Sequence, residues 1–252
     1  MVIALIDIGN TSIKVKLLQD QIFVSSFVLS SDEVSLQLFF KRDISQFIIS
    51  SVVPELDAII QSFQRPNVHF LTYHDMDGLS IQVNPPDSVG VDRLVNAMAV
   101  QDVIKHSDVL IIDIGTAVTF CSVTLSEQNS QSCVVYKGGA ILPGFHLIQQ
   151  ALFTGTSKLP LVSFPQDAPP LIGDSTEGAM ESGLFHGAIH MINGMTTRIV
   201  SECVGMHVVL TGGVPGALLQ HLTYDTFSPD LQFIGLRRLA NTLNATSLNV
   251  TS

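Results

Sequence analysis

The chain has 252 residues, a formal net charge of −10 and a mean hydropathy of +0.40, with 46% apolar and 13% charged residues. This length allows one large domain or two lobes with a substantial core. The acidic balance, without any long run of lysine or arginine, argues against sequence-independent nucleic-acid binding. Two long stretches lack charge, but Pro-Gly or Gly-Gly pairs and polar groups interrupt both, so we expect no membrane-spanning helix.

The N-terminus and the cysteines bear on the cellular compartment. No basic region precedes the first apolar run, which meets Asp7 too early for a secretory signal. The three cysteines show no Cys-x-x-Cys spacing, which favours structural thiols over a zinc site. We therefore expect a cytoplasmic protein, and the low charge content fits a homodimer with a buried face.

The first strand and turn carry the clearest signal. An apolar run ends in Asp7, passes through Gly9-Asn10-Thr11 and resumes with apolar residues at 13, 15 and 17. This pattern predicts a β-hairpin, because glycine and asparagine tolerate the positive φ that tight turns need. Backbone N–H groups and hydroxyls at such a turn can bind an anion, and Asp7 would hold a hydrated cation against it.

Further elements follow in chain order. In the first half the patterns predict strands at 21–29, 47–53 and 68–73, and helices starting near Asp32, at Pro54 and near Asp92. In the second half they predict strands at 109–114, 117–125, 131–137 and 207–210, a turn at 127–130, and helices at 145–152 and 180–203. An apolar run at 232–236 is predicted to close the sheet before a short C-terminal helix.

The opening pattern occurs twice, since a second apolar run ends in Asp113-Ile-Gly-Thr116. We predict an α/β fold with two tandem ribonuclease H-like lobes, 1–107 and 108–252, whose mixed sheets are flanked by helices. The two phosphate turns would face each other across a cleft, which is the organisation of the actin/Hsp70/sugar-kinase superfamily. Neither a P-loop nor a Gly-x-Gly-x-x-Gly motif is present, so phosphate would be bound by the hairpins.

Six motifs in the same order resemble the type III pantothenate kinases of that superfamily. They are Asp7-Ile-Gly-Asn-Thr-Ser-Ile-Lys14, Gly90-Val-Asp-Arg93, Asp113-Ile-Gly-Thr-Ala117, Gly138-Gly-Ala-Ile-Leu-Pro-Gly144, Thr176-Glu-Gly-Ala-Met-Glu-Ser-Gly183 and Thr211-Gly-Gly213. Together they span nearly the whole chain, which makes the resemblance far more specific than any one motif.

The resemblance implies a set of ATP-binding residues. These are Asp7, Ile8, Gly9, Asn10, Thr11, Ser12, Ile13 and Lys14, with Thr116 as a further contact. It also implies that Asp113 binds a monovalent cation, K⁺ or NH₄⁺, and that Mg²⁺ arrives with ATP and is held by Asp7 through water. The structural alternative for the first motif is a tight turn with a capping aspartate.

The Gly90-Val-Asp-Arg93 motif is where we expect the reaction. Phosphorylating an alcohol needs a base near the hydroxyl and cations that offset charge on the transferred group. The resemblance implies that Asp92 is the proton acceptor and that Gly90, Val91, Asp92 and Arg93 contact pantothenate. Alternatively, Asp92 only caps a helix and Arg93 forms a surface ion pair.

Two more motifs have both a functional and a structural interpretation. By resemblance Thr176 contacts the substrate from the dimer partner's side, whereas its structural role would be a helix N-cap. Thr211-Gly-Gly213 would approach adenosine, or would simply start a helix. The glycines of the 138–144 motif would shape a loop near pantothenate, or have a purely structural role.

Two further features bear on these expectations: a departure from the family pattern at residue 83, and a histidine pair with the spacing of metal ligands. The family often has a tyrosine seven residues before the glycine of the Gly-x-Asp-Arg motif, but this chain has Val83, which lacks a phenolic hydrogen bond worth about 1 kcal/mol. His186 and His190 have the spacing of a zinc pair, yet without the glutamate of His-Glu-x-x-His an ordinary helix face is favoured.

The resemblance as a whole implies ATP-dependent phosphorylation of pantothenate to 4'-phosphopantothenate, the first step of coenzyme A biosynthesis. One alternative is a kinase of the same fold that acts on another small alcohol. Another is an ATP-binding regulatory protein without catalysis.

Overall fold

The computed structural model describes residues 1–105, 108–128, 131–203 and 205–250. The strands are β1 (Val2–Ile8), β2 (Ile13–Gln19), β3 (Ile22–Leu29), β4 (Gln46–Ser51), β5 (Val68–Phe70), β6 (Leu79–Ile81), β7 (Asp108–Ile114), β8 (Ala117–Gln128), β9 (Gln131–Pro143), β10 (His207–Gly212) and β11 (Thr226–Phe227). The helices are α1 (Glu33–Phe40), α2 (Pro54–Ser62), α3 (Val91–Val103), α4 (Phe145–Gly155), α5 (Thr176–Glu202), α6 (Gly216–Leu219) and α7 (Leu231–Val250).

The chain divides into two compact units. The first contains Met1–Lys105, Leu125–Lys137 and Asp230–Ser252, and the second contains His106–Thr124 and Gly138–Pro229. Helix α7 groups with the first unit because it packs on α3 and β1, whereas the sequence assigned it to the second lobe. The predicted boundary after residue 107 falls outside the described residues and stays a prediction.

A five-stranded sheet with the order β3-β2-β1-β4-β5 forms the centre of the first unit. Strand β1 pairs antiparallel with β2 and parallel with β4. Alternate β1 residues pack with α1 and α2 in a cluster that includes Ala4, Ile6, Ile8, Phe39, Phe40 and Phe47. The other face lies against α3 and α7, so β1 is covered on both faces and is apolar at nearly every position.

The predicted strand at 232–236 is wrong, because these residues belong to α7. Leu231, Leu236, Leu239 and Ala240 are buried at helical spacing, which satisfies the apolar pattern better than a strand does. The helix approaches α3 closely: a methyl group on Gly235 would collide with the main-chain oxygen of Val95.

In the second unit, β7 pairs antiparallel with β8 and parallel with β10. The second sheet has the strand order β11-β10-β7-β8-β9-β6. Leu110, Ile112 and Ile114 of β7 pack in one core cluster with Phe145 of α4 and Phe185 of α5. The sequence missed the short strands β6 and β11, which have three and two residues and therefore too little periodicity to recognise.

Other predicted elements compare well with the structure. Asp32 caps α1, accepting a hydrogen bond from the Ser35 N–H, and Pro54 begins α2, as predicted. One prediction is wrong: the 138–144 motif was expected to form a loop, but β9 extends to Pro143, and Gly139 allows this because it has no Cβ to collide with the Phe120 carbonyl. Residues 129 and 130 of the predicted turn lie outside the described residues.

Within the described part of the chain, every helix is too short or too polar to cross a membrane.

Candidate active site

The first hairpin closes through the loop 9–12, where the Gly9 N–H donates to the Ser12 carbonyl at 3.0 Å. The expectation of positive φ here is wrong, since neither Gly9 nor Asn10 adopts it. Positive φ occurs instead at Asp20 (50°) and Gln21 (67°), between β2 and β3. The two-residue loop at 20–21 has both residues in the left-handed region, as a type I′ turn does, whereas a four-residue loop is commonly built around an ordinary type I turn.

Asp7 lies near the end of β1, between two polar neighbours. Its partner on β2 is the exposed Lys14, and its partner on β4 is the fully buried Ser50. Paired residues on neighbouring strands project to the same face, so a carboxylate, an ammonium and a hydroxyl stand in one row. The Ser50 hydroxyl accepts a hydrogen bond from Gln232 Nε2 of α7 at 3.1 Å.

The Gly90-Val-Asp-Arg93 motif begins α3 beside this row. The Val52 N–H donates to the Ile8 carbonyl at 3.1 Å, which extends the β1–β4 pairing. A methyl group on Gly90 would lie 3.8 Å from Val52 Cγ1, so the start of α3 lies against the same strand ends. The structure therefore brings residues 7–14 and 90–93 to one end of the first sheet, where the N-terminus of α3 favours negative charge.

Asp92 has the environment of a general base. Burial raises the pKa of its carboxyl, while the hydrogen bond from the Arg93 N–H and the charge of Arg93 act in the opposite direction. That hydrogen bond reaches Oδ1 at 2.8 Å and ties the carboxylate to the first turn of α3. A carboxylate has about four acceptor positions on two oxygens, so binding the helix is compatible with accepting a substrate proton.

Replacing Gly90 by alanine should lower activity while changing stability little. The added methyl group would lie 2.6 Å from Asp92 Oδ1, so the carboxylate must move away from its present position. A misplacement of about 1 Å can cost on the order of 10²-fold in rate. Steady-state kinetics and thermal unfolding of the variant test this. Full activity, or gross loss of folded protein, would contradict it.

The second hairpin repeats the arrangement of the first. Asp113 of β7 pairs with Thr119 of β8 and with Thr211 of β10, which is 2% exposed. As in the first unit, an aspartate at the strand end thus stands opposite a buried hydroxyl residue on its parallel neighbour. The two-residue loop that contains Thr116 is closed by the Gly115 N–H, which donates to the Ala117 carbonyl at 2.9 Å.

Two glycine motifs pack directly on this hairpin. The Gly144 N–H donates to the Thr116 carbonyl at 3.0 Å, and a methyl group on Gly144 would collide with the carbonyl oxygens of Gly115 and Thr116. Gly212 has a φ of 91°, and a methyl group there would collide with Asp113 Oδ1 and the Ile114 carbonyl oxygen. The second unit therefore gathers residues 113–117, 143–144 and 211–213.

Two oxygen atoms lie close to Gly212 beside this hairpin. A carboxylate oxygen and the main-chain oxygen of Ile114 both border the space that a Gly212 side chain would fill. Oxygen ligands of this kind are those preferred by alkali and alkaline-earth cations. Across the described residues, no three His, Cys, Asp or Glu side chains converge as metal ligands. His186 has its Nε2 3.0 Å from the Pro169 carbonyl oxygen.

Thr176 lies at the start of α5 and does not cap it. The N-cap is Ser175, whose hydroxyl accepts from the Gly178 N–H at 3.1 Å, so the structural alternative for Thr176 is wrong. Thr176 is exposed and borders a cavity of about 540 Å³. The remaining lining is apolar or glycine: Ile148, Leu152, Leu159, Ala179, Met180, Gly183 and Leu184.

One residue beside the site was missed by the sequence. The guanidinium carbon of Arg93 lies 5.7 Å from the ring centre of Tyr136, which is fully buried in β9. Tyr136 looks like an ordinary strand residue, and its only signal is its place two residues before the Gly138-Gly139 pair.

Comparison with solved structures identifies the fold. A crystal structure from Campylobacter jejuni whose description names the Baf transcriptional-activator family has a TM-score of 0.59, with 18% identity over 96% of this chain and 99% of that one. A ROK family glucokinase from Streptomyces griseus, solved with glucose and AMPPNP, has a TM-score of 0.50, with 11% identity over 95% of this chain and 99% of that one. With its two aspartate hairpins, the chain has the actin/Hsp70/sugar-kinase fold.

Sequence comparison identifies the family. The model of the type III pantothenate kinase family matches residues 3–198. A type III pantothenate kinase from Geotalea uraniireducens is 31% identical over 93% of this chain and 96% of its own length. One from Myxococcus xanthus is 33% identical over 83% of this chain and 86% of its own length. The chain belongs to the type III pantothenate kinase family.

Proposed function

We propose that this protein transfers the γ-phosphoryl group of ATP to the primary hydroxyl of pantothenate. The product, 4'-phosphopantothenate, begins coenzyme A biosynthesis. The observation that carries the proposal is the half-buried Asp92 at the start of α3, next to the Asp7 hairpin, in a chain of this family. A coupled assay with ATP, Mg²⁺, K⁺ and pantothenate tests it, with the product identified by mass spectrometry.

Asp92 and Arg93 have different roles toward pantothenate, the substrate that accepts the phosphoryl group. The Asp92 carboxylate accepts the hydroxyl proton as the oxygen attacks the γ-phosphorus, and its raised pKa makes it a better base than an exposed aspartate. Arg93 binds an anionic oxygen of the substrate, and Gly90 and Val91 complete the contact with pantothenate. Positioning and electrostatic stabilisation supply most of the rate in such a transfer.

The two hairpins bind the nucleotide and its cations. In the first, the amides and hydroxyls of residues 8–13 and the charge of Lys14 face the phosphates, and Thr116 contacts ATP from the second. Asp7 would hold Mg²⁺ through water, and Asp113 would hold a monovalent cation, K⁺ or NH₄⁺. Such cations offset negative charge on the phosphates when they are bound.

Activity should depend on a monovalent cation. With Mg²⁺ and ATP held constant, we expect K⁺ or NH₄⁺ to raise kcat/KM over Na⁺, because the proposed ligands, the Asp113 carboxylate and the nearby Ile114 carbonyl oxygen, suit a weakly hydrated cation. Asp113→Asn should abolish this difference. Equal rates in Na⁺ and K⁺ at matched ionic strength would contradict the proposal for Asp113.

We further propose a cytoplasmic homodimer in which Thr176 contacts the substrate bound by the partner. The support is the exposed position of Thr176, which borders a largely apolar cavity. Sedimentation of the protein, and mixing of Asp92→Asn and Thr176→Ala subunits to recover activity, test this arrangement. Neither nucleic acid nor membrane is a proposed partner.

Val83 favours one alternative function, a kinase of this fold acting on another small alcohol. The residue cannot supply the phenolic hydrogen bond that the family often has at this position. A panel of small alcohols compared by kcat/KM separates the two activities. The second alternative, an ATP-binding regulatory protein, requires that the Asp92→Asn variant keep the biological function unchanged.

A further inference from the structure

Arg93 is held by its main chain, and its side chain lies against an aromatic ring. Its N–H donates to Asp92 Oδ1 at 2.8 Å and to the Gly90 carbonyl at 3.1 Å, which fixes where the side chain starts. The guanidinium carbon then lies 5.7 Å from the centre of the Tyr136 ring. This distance falls within the range of about 6 Å for a cation–π interaction.

The Tyr136 ring is a rigid support. Tyr136 is fully buried in β9, where it pairs with Ile81, and its carbonyl accepts from the Gln82 N–H at 2.9 Å. Val134, two residues earlier, is 1% exposed, and its N–H donates to the Gly78 carbonyl at 2.9 Å. With β9 bonded to β6 on both sides of the ring, the ring has little freedom to follow a moving guanidinium.

We propose that Tyr136 is a positioning residue that holds the Arg93 guanidinium in the direction needed to bind the anionic end of the substrate. The ring attracts the guanidinium, and the planar guanidinium presents its N–H donors in a fixed fork that suits an anionic group. An arginine side chain has many rotamers, and a contact that holds it before the substrate arrives reduces the entropy lost on binding. The inference rests on the proposed function, in which Arg93 binds substrate.

The decisive variants are Tyr136→Leu, which removes the aromatic face, and Tyr136→Phe, which keeps it. We expect Tyr136→Leu to raise the KM for pantothenate about 10- to 30-fold, the equivalent of a partly desolvated cation–π contact. The KM for ATP should stay within about twofold, and Tyr136→Phe should restore the pantothenate KM to within about threefold of wild type.

A double-mutant cycle with Arg93→Lys separates positioning from a general structural role. If Tyr136 acts through the Arg93 guanidinium, then Tyr136→Leu has little further effect on the pantothenate KM once Arg93 is lysine. A purely structural tyrosine would give independent effects, raise both KM values and lower the fraction of active enzyme. That outcome, or an unchanged pantothenate KM in Tyr136→Leu, overturns the proposal.

NMR of the wild-type chain keeps the proposal testable if Tyr136→Leu does not fold. Side-chain protons of Arg93 above the ring should resonate upfield, and random-coil shifts would overturn the contact. Turnover of pantothenate by the wild-type protein distinguishes a failure of the proposed function from a failure of the role proposed for Tyr136. A wild type that leaves pantothenate unmodified overturns the proposed function, whereas an active wild type matched by Tyr136→Leu overturns only the role of Tyr136.

Discussion

The Asp92→Asn variant should lose about 10²–10⁴-fold in kcat, the usual contribution of a positioned general base. The amide cannot accept the substrate proton, but its oxygen can still accept the Arg93 N–H, so the start of α3 should be retained. Steady-state kinetics at saturating ATP and pantothenate measure the loss. The exposed Asp87, five residues earlier, provides a matched control, and Asp87→Asn should remain fully active.

The same substitution should raise the midpoint of thermal unfolding at neutral pH. Burial raises the pKa of Asp92 above its ordinary value of 3.8, so the folded state binds this proton more tightly than the unfolded state does. The contribution of this group to stability is therefore greatest below its unfolded pKa and is lost as pH rises through its folded pKa. At neutral pH the ionised carboxylate is a net cost, which asparagine removes.

Two results would contradict this account of Asp92. A variant that retains more than about a tenth of the wild-type kcat has another proton acceptor. A variant that unfolds at a lower temperature than wild type shows that the hydrogen bond and the Arg93 charge outweigh burial. The wild-type pH profile offers a further check, because kcat/KM should fall on the acid side with a pKa above 3.8 and Asp92→Asn should lack this limb.

Gly212→Ala should strongly destabilise the protein, whereas Gly213→Ala should not. Alanine at 212 combines positive φ with a collision against the backbone of Ile114 and the Asp113 carboxylate. Backbone strain and overpacking each cost about 1–3 kcal/mol, so a loss of about 2–6 kcal/mol is expected. A methyl group on Gly213 meets only the Ile114 carbonyl oxygen, at an ordinary 3.8 Å.

Thermal unfolding of the two variants measures this difference. Folded Gly212→Ala protein should also need more K⁺ for half-maximal activity, because the methyl group displaces the Asp113 carboxylate. Gly213→Ala controls for the loss of glycine flexibility in the same turn. Equal unfolding midpoints for the two variants would show that the Gly212 contacts do not constrain the hairpin.

The sequence predicted the parts of the fold that local patterns encode. Apolar runs that end in Asp7 and Asp113 identified the first strand of each unit, and Asp32 and Pro54 identified two helix starts. It was wrong where one pattern fits two structures. The run at 232–236 has strand length, but burial against α3 and β1 makes it helical.

The same distinction between local patterns and tertiary contacts applies to the candidate site. Motif order predicted Asp92 and Arg93 as site residues, because their residue types and neighbours are local information. The sequence suggested Thr176 as the N-cap of α5, but the structure has Ser175 there. Either hydroxyl suits an N-cap, and only the residue at which the helix begins decides between them. Tyr136 lies 43 positions from Arg93 in the chain, and no local signal connects them.

By itself, the sequence determined the two aspartate hairpins and the family, and it predicted the residues proposed to carry the reaction, because each depends on short stretches of residues in order. Only the tertiary structure decided what stands beside them. Strand register set Ser50 opposite Asp7 and Thr211 opposite Asp113, and close backbone packing explained Gly144 and Gly212. Register and packing depend on contacts between residues far apart in the chain, which local patterns do not record.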